Sequence, residues 1–182
     1  MTQRFDRIEE NGGRSGKLHM QSLCALMHYD FNMAGAHSYE EALQAMKLLK
    51  LSREELEQQF RRAAFNLIAR NQDDHVKNIA FLMNKDGHWS LSPAFDVTYS
   101  YNPDGAWTSQ HQMSVNGKRD GFEMADLIAL ANVGGIKKRK ATDIVREVAA
   151  AVSNWETHCA AATVLESTAQ KLQQTFRLEL DE

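Results

Sequence analysis

Cysteine is scarce in this chain. Cys24 and Cys159 are the only two among 182 residues, and both fall in helix-like stretches. Two such residues make neither a disulfide framework nor a metal-binding pattern, and a reduced, cytoplasmic location is expected. No apolar run approaches the roughly 20 residues of a membrane-spanning helix. The first seven residues, from Met1 to Arg7, lack an apolar h-region, so no signal peptide is expected. Net charge is also small, at −3. That argues against nucleic acid or an anionic membrane as the main partner. There is no internal repeat and no low-complexity tract.

What is present is an ordinary soluble composition, with 43% hydrophobic and 25% charged residues. The length suits one domain, and a chain of this size buries roughly 70% of its unfolded surface. Residues 3–8 read as extended, and the polar, glycine-rich stretch 9–16 as a link. A helix is expected over 20–27. Ser38 followed by Glu41, and Ser52 followed by Glu55, are capping boxes that each start a helix. In the second helix Leu56, Phe60, Ala64, Leu67 and Ile68 recur at helical spacing, with an end near Arg70. Residues 79–83 read as a short strand, Asp86-Gly87 as a hairpin turn, and Trp89–Leu91 as the return strand, ended by Pro93. From 97 to 120 the chain reads as loop and short strand, with turns at Pro103-Asp104-Gly105 and Asn116-Gly117. Helices are expected over about 123–131, 142–155 and 163–176. The fold class that follows is mainly α with a small β-hairpin, an α+β arrangement.

Chemistry concentrates between the long helix and the hairpin, in the run from Arg70 to Asn78. A hairpin brings its two ends together, so Asn78 and Asp96 are expected side by side with Asp73 on the loop above. Phosphoryl transfer uses such a set: an Asp to receive the proton of the attacking hydroxyl, and hard oxygen ligands for Mg²⁺. The Asp-x-x-x-x-Asn spacing also occurs in the catalytic loop of protein kinases. By spacing alone, a polar helix-to-strand turn explains these residues as well.

The combined motif is more specific. Asn71, Asp73, His75, Lys77 and Asn78, followed by Leu91, Pro93, Phe95 and Asp96, resemble the pattern N-x-D-x-H-x-K-N … L-x-P-x-[YF]-D of the C-terminal domain of HipA-family serine/threonine kinases, the toxins of bacterial toxin–antitoxin pairs. The segment from Gln3 to Arg7 is similar to the family's E-R-F-D-R, and that from Met113 to Arg119 to its later strand and turn. The resemblance implies the helical C-lobe of a kinase-like fold over residues 1–182, with ATP and Mg²⁺ as cosubstrate and cofactor. It implies Asp73 as catalytic base and Asn78 and Asp96 as Mg²⁺ ligands. Gln3, Arg4 and Phe5 would form the hinge at the adenine. His75, Val76, Lys77, Asn78, Phe95 and Asp96 would line the nucleotide. A protein Ser or Thr, such as one on an aminoacyl-tRNA synthetase, is the implied target, and a DNA-binding antitoxin the implied partner. Gln3 stands where the family has Glu. The family's N-terminal lobe, with a Gly-rich loop and a strand Lys, has no counterpart in these residues. Weak ATP binding and negligible turnover by this chain alone are therefore expected. The alternative is an inactive module that binds an antitoxin or a separate N-lobe.

Other features carry less. His75 with Asp73 and Asp74 could mimic a metal-hydrolase pair, but further ligands at regular spacing are missing. His88 and His111 read as solvated hairpin residues. The basic run from Lys137 to Lys140 reads as a solvated flank before a helix, opposing the helix dipole, with contact to an acidic partner or DNA phosphates as a secondary possibility. Trp89, Trp107 and Trp155 read as packing residues, Trp107 being the one in a polar loop. Ile128, Ala131, Ile144, Val148 and Val152 read as core.

Overall fold

The computed structural model describes residues 4–10 and 14–181. Seven helices and five strands occur among them. Strands β1 (Arg7–Glu10) and β2 (Arg14–Lys17) form an antiparallel pair. The expected link over 9–16 is thus largely strand. Pairing of Ile8 with Gly16 across the turn supplies backbone bonds that a composition-based reading of the glycines does not anticipate.

A second correction follows directly. The expected helix over 20–27 is half strand: β3 (His19–Ser22) precedes α1 (Leu23–Met27). Met20 pairs with Leu82 of β4 (Ala80–Met83), so a partner about sixty residues on fixes its backbone. Ser22 then caps α1, its Oγ accepting from the Ala25 N–H. β4 pairs in turn with β5 (Trp89–Leu91), giving a three-stranded sheet in the order β3-β4-β5. The turn joining β4 and β5 uses Gly87 at φ +81 and the Asn84 side chain, whose Oδ1 accepts from the Asp86 and His88 N–H groups.

Helices α2 (Tyr39–Leu48) and α3 (Arg53–Ile68) start at complete capping boxes on Ser38 and Ser52. Helix α4 (Met124–Val133) starts at Glu123, with Asp126 reaching back to its N–H. Helix α5 (Lys138–Ser153) begins four residues before the expected 142, so the basic run is its first turn rather than a flank. The expected helix over 163–176 is the shorter α7 (Glu166–Gln173), and a further helix, α6 (Trp155–Ala161), precedes it where none was expected, the two parted at Thr163 with φ +56.

The core runs along α3. Phe60, Leu67 and Ile68 meet Leu43 and Met46 of α2, Leu127 and Leu130 of α4, and Ile144, Val148 and Val152 of α5. Ile128 is only partly buried, whereas Ala131 is fully so. No helix among the described residues is long and apolar enough to cross a membrane.

Candidate functional site

The end of α3 determines where the site lies. Arg70 takes a left-handed conformation at φ +59, which turns the chain off the helix. The loop is then pinned: the Asp73 N–H donates to Ser100 Oγ at 2.9 Å, and the Val76 carbonyl accepts from the Cys24 N–H at 3.2 Å. Ile79 leads into β4, its carbonyl accepting from the Leu23 N–H. The rigid sheet and α3 thus hold both ends of the loop from Arg70 to Asn78.

Within it, Asn78 Nδ2 donates to the Asp73 carbonyl at 2.9 Å. That bond commits the amide nitrogen and leaves Oδ1 as the end free to coordinate. The Asp73 side chain is about half exposed, at 47%, and His75 Nε2 lies 3.9 Å from its Oδ1. Val76 turns into the core, so it contributes to the loop's shape rather than to a ligand surface. Lys77 is exposed, its Nζ 3.5 Å from the Phe31 ring centre, and Phe31 also meets the edge of His75.

Beyond β5, Ser92 is buried, and Asp96 is exposed at φ +53, a left-handed position that Asp tolerates better than most residues. Among the described residues its carboxylate has no hydrogen-bonding or ionic partner. Asn78 and Asp96 share no hydrogen bond, but Asn78 lines a cavity of about 340 Å³ together with Phe95 and Val97, the two neighbours of Asp96. Phe95 meets Phe5 at 5.8 Å between ring centres, which brings the segment before β1 against the end of the motif. Arg4 is exposed and paired in a fork to Asp6, at 2.9 and 2.7 Å; this bond holds the Asp6 carboxyl below its usual range. Gln3 lies outside the described residues.

Two hard oxygen donors, Asn78 Oδ1 and the Asp96 carboxylate, suit Mg²⁺ better than a softer metal. Among the described residues no group of three or more His, Cys, Asp or Glu side chains is placed to hold a metal.

A buried cluster beside the loop escapes the sequence reading. Asp74 is 3% exposed, and its carboxylate accepts from Tyr39 Oη at 2.7 Å, from the Gln112 N–H at 2.8 Å and from His111 Nδ1 at 2.8 Å. His111 is fully buried, not solvated, because Asp74 and the Phe122 ring enclose it. Its only sequence signal is that an Asp follows Asp73. His88 is exposed, as expected, and so is Trp107 in its polar loop, while Trp155 packs edge-on against Phe176.

The family model of the HipA-like C-terminal domain matches residues 1–155. Among solved structures, the chain is similar to one from Shewanella oneidensis MR-1, solved as a toxin–antitoxin complex of HipA, HipB and operator DNA. The TM-score is 0.69 at 18% identity, over 94% of this chain and 44% of that one. The likeness is one of fold, and the chain spans less than half the length of the solved chain it matches. No curated protein matches it.

Proposed function

Since the chain belongs to the HipA-like C-terminal domain family, we propose that it supplies the phosphoryl-transfer half of an ATP- and Mg²⁺-dependent serine/threonine protein kinase of a toxin–antitoxin system. The observation that carries this reading is the bond from Asn78 Nδ2 to the Asp73 carbonyl. It ties the proposed metal ligand to the backbone of the proposed base and leaves its oxygen uncommitted.

In this reading Asp73 accepts the proton of the substrate hydroxyl at its half-exposed carboxylate. Asn78 Oδ1 and Asp96 would hold Mg²⁺, which when bound neutralises charge on the phosphates. His75 and Lys77 present N–H donors to the phosphates, and Phe5 with Phe95 gives the adenine an apolar wall. An antitoxin of the kind found with the Shewanella toxin is the proposed partner, and an aminoacyl-tRNA synthetase the proposed substrate. Phe31 and Met33, 39% and 57% exposed beside the loop, also suit cover by a second lobe or protein. That favours, as a second reading, a module that binds such a partner without turnover.

Transfer of labelled γ-phosphate from Mg-ATP to a purified synthetase, with and without an added N-terminal lobe, separates the two. Transfer in the presence of the lobe supports the kinase. Asp73→Asn is expected to slow it by about 10²–10⁴-fold, the usual worth of a general base. Asn78→Ala and Asp96→Asn should raise the Mg²⁺ requirement by about tenfold or more, taking one 1.4 kcal/mol ligand contribution as the minimum. Asn is used at 96 because it tolerates the left-handed backbone. Full activity in Asp73→Asn removes the base assignment. Tight antitoxin binding with no transfer under any condition favours the module.

A further inference from the structure

Asp74 follows the proposed base directly, at a position the family motif leaves open. A buried carboxylate is costly unless every lone pair finds a donor. Here two elements supply three donors: Tyr39 from α2, and Gln112 and His111 from the long loop before α4.

The proton on His111 follows from its other partner. Nε2 lies 3.1 Å from Arg177 Nη1. A guanidinium only donates, so Nε2 accepts and Nδ1 carries the hydrogen given to Asp74. Arg177 is itself anchored to the last turn of α3. Its N–H donates to the Ile68 carbonyl at 3.0 Å and its Nη1 to the Leu67 carbonyl at 2.8 Å, while Nη2 pairs with Asp120. At the other end, Asn66 of α3 donates to Tyr39 Oη at 2.8 Å. The path from α3 through Arg177, His111, Asp74 and Tyr39 thus returns to α3, the helix that delivers the loop.

We infer that Asp74 is a positioning residue for Asp73, held in place by a closed hydrogen-bond ring through His111 and Arg177. The ring anchors the residue that follows Asp73 through three bonds, so the half-exposed Asp73 carboxylate, with His75 Nε2 3.9 Å away, keeps one direction. The C-terminal segment carrying Arg177 lies beyond residues 1–155 matched by the family and acts as a strap across the loop. The inference rests on the kinase reading only for the use made of Asp73.

Two measurements test it. In amide hydrogen exchange on the full chain, Asp74→Asn and His111→Leu are expected to raise exchange over residues 72–78 by at least about tenfold more than over α5, the equivalent of 1.4 kcal/mol. His111→Asn, whose side-chain N–H can replace Nδ1–H, should recover most of the lost protection. In the lobe-supplemented phosphotransfer assay, Asp74→Asn should lower kcat by about 10–100-fold, as expected for misplacement near 1 Å, with KM for ATP nearly constant. A folded Asp74→Asn with unchanged exchange and kcat overturns the inference. So does a rise in exchange over α5 as large as that over 72–78, or a His111→Asn as impaired as His111→Leu. Should Asp74→Asn not fold, Tyr39→Phe removes one donor alone, and unchanged exchange over 72–78 in that variant is equally fatal. Asp73→Asn is the control that slows transfer by about 10²–10⁴-fold without altering exchange. If no variant, wild type included, transfers phosphate while the exchange pattern holds, the kinase reading fails and the ring stands.

Discussion

The Asp74 carboxyl lies below the ordinary carboxylate range, although burial alone pushes it upward; the bonds from His111, Tyr39 and the Gln112 N–H outweigh the burial. Asp120 is displaced the same way: burial opposes, while the Gly121 N–H and Arg177 prevail. The sign of the linkage follows. A carboxyl depressed in the folded state contributes stability that is fully present above its unfolded value, near 3.9, and is lost as pH falls through the folded value. The urea midpoint should therefore be nearly level from pH 5 to 8 and fall below about pH 4. Asp74→Asn should cost roughly 3 kcal/mol at pH 7, in line with loss of charge-assisted bonds at a buried site, and its acid limb should be shallower. A wild-type acid slope in that variant would mean that other groups govern acid unfolding. Residues of the motif were readable because Asp73, His75 and Asn78 signal locally. His111 was not, because its burial is decided by Asp74 and Arg177, 37 and 66 residues away.

At the level of elements, those whose signals lie within one turn were legible, and those defined by a distant partner were not. The boxes at Ser38 and Ser52 announced α2 and α3, since the cap, the reciprocal Glu and the apolar stripe are all adjacent. The β4–β5 hairpin was legible through Asp86-Gly87. Strand β3 was missed because its backbone is set by β4. The start of α5 was missed because Lys137 at its N-cap makes no side-chain cap bond and its first turn holds no acidic residue. Three cations there face the positive end of the helix dipole. Lys137→Asp should supply the missing acceptor and invert the local charge, for about 1 kcal/mol. That corresponds to a Tm higher by about 2–4 °C for a chain of this size, read by thermal denaturation at low salt. Ser52→Ala should move Tm downward by a similar amount. A lower Tm in Lys137→Asp would show that the basic turn is held by contacts other than the dipole argument allows.

For the molecule as a whole, the family and the mainly α fold with small antiparallel sheets were legible because one motif spans the α3–hairpin junction around which everything packs. The behaviour of the last thirty residues was not. Helices α6 and α7 pack chiefly on each other, and their buried residues, Cys159 and Ala169, lie outside the main core cluster. The link between them is exposed, with Leu165 at 74% and Thr163 left-handed. The segment after α7 returns to the core: Phe176, Leu178 and Leu180 pack against it, and Arg177 closes the ring at Asp74. Local opening should therefore be easiest in the middle of this region and hard at its end. Brief chymotrypsin treatment is expected to cut first near Leu165. The piece carrying residues 166–182 should then stay bound through its apolar and Arg177 contacts, co-eluting with the larger piece in gel filtration and separating only in urea. Arg177→Ala should weaken that retention and raise exchange over 72–78 in the uncut chain. First cleavage within α3 or α5, or immediate loss of the small piece from the wild-type protein, would contradict a strap that bridges a loosely held helical hairpin to the loop from Arg70 to Asn78.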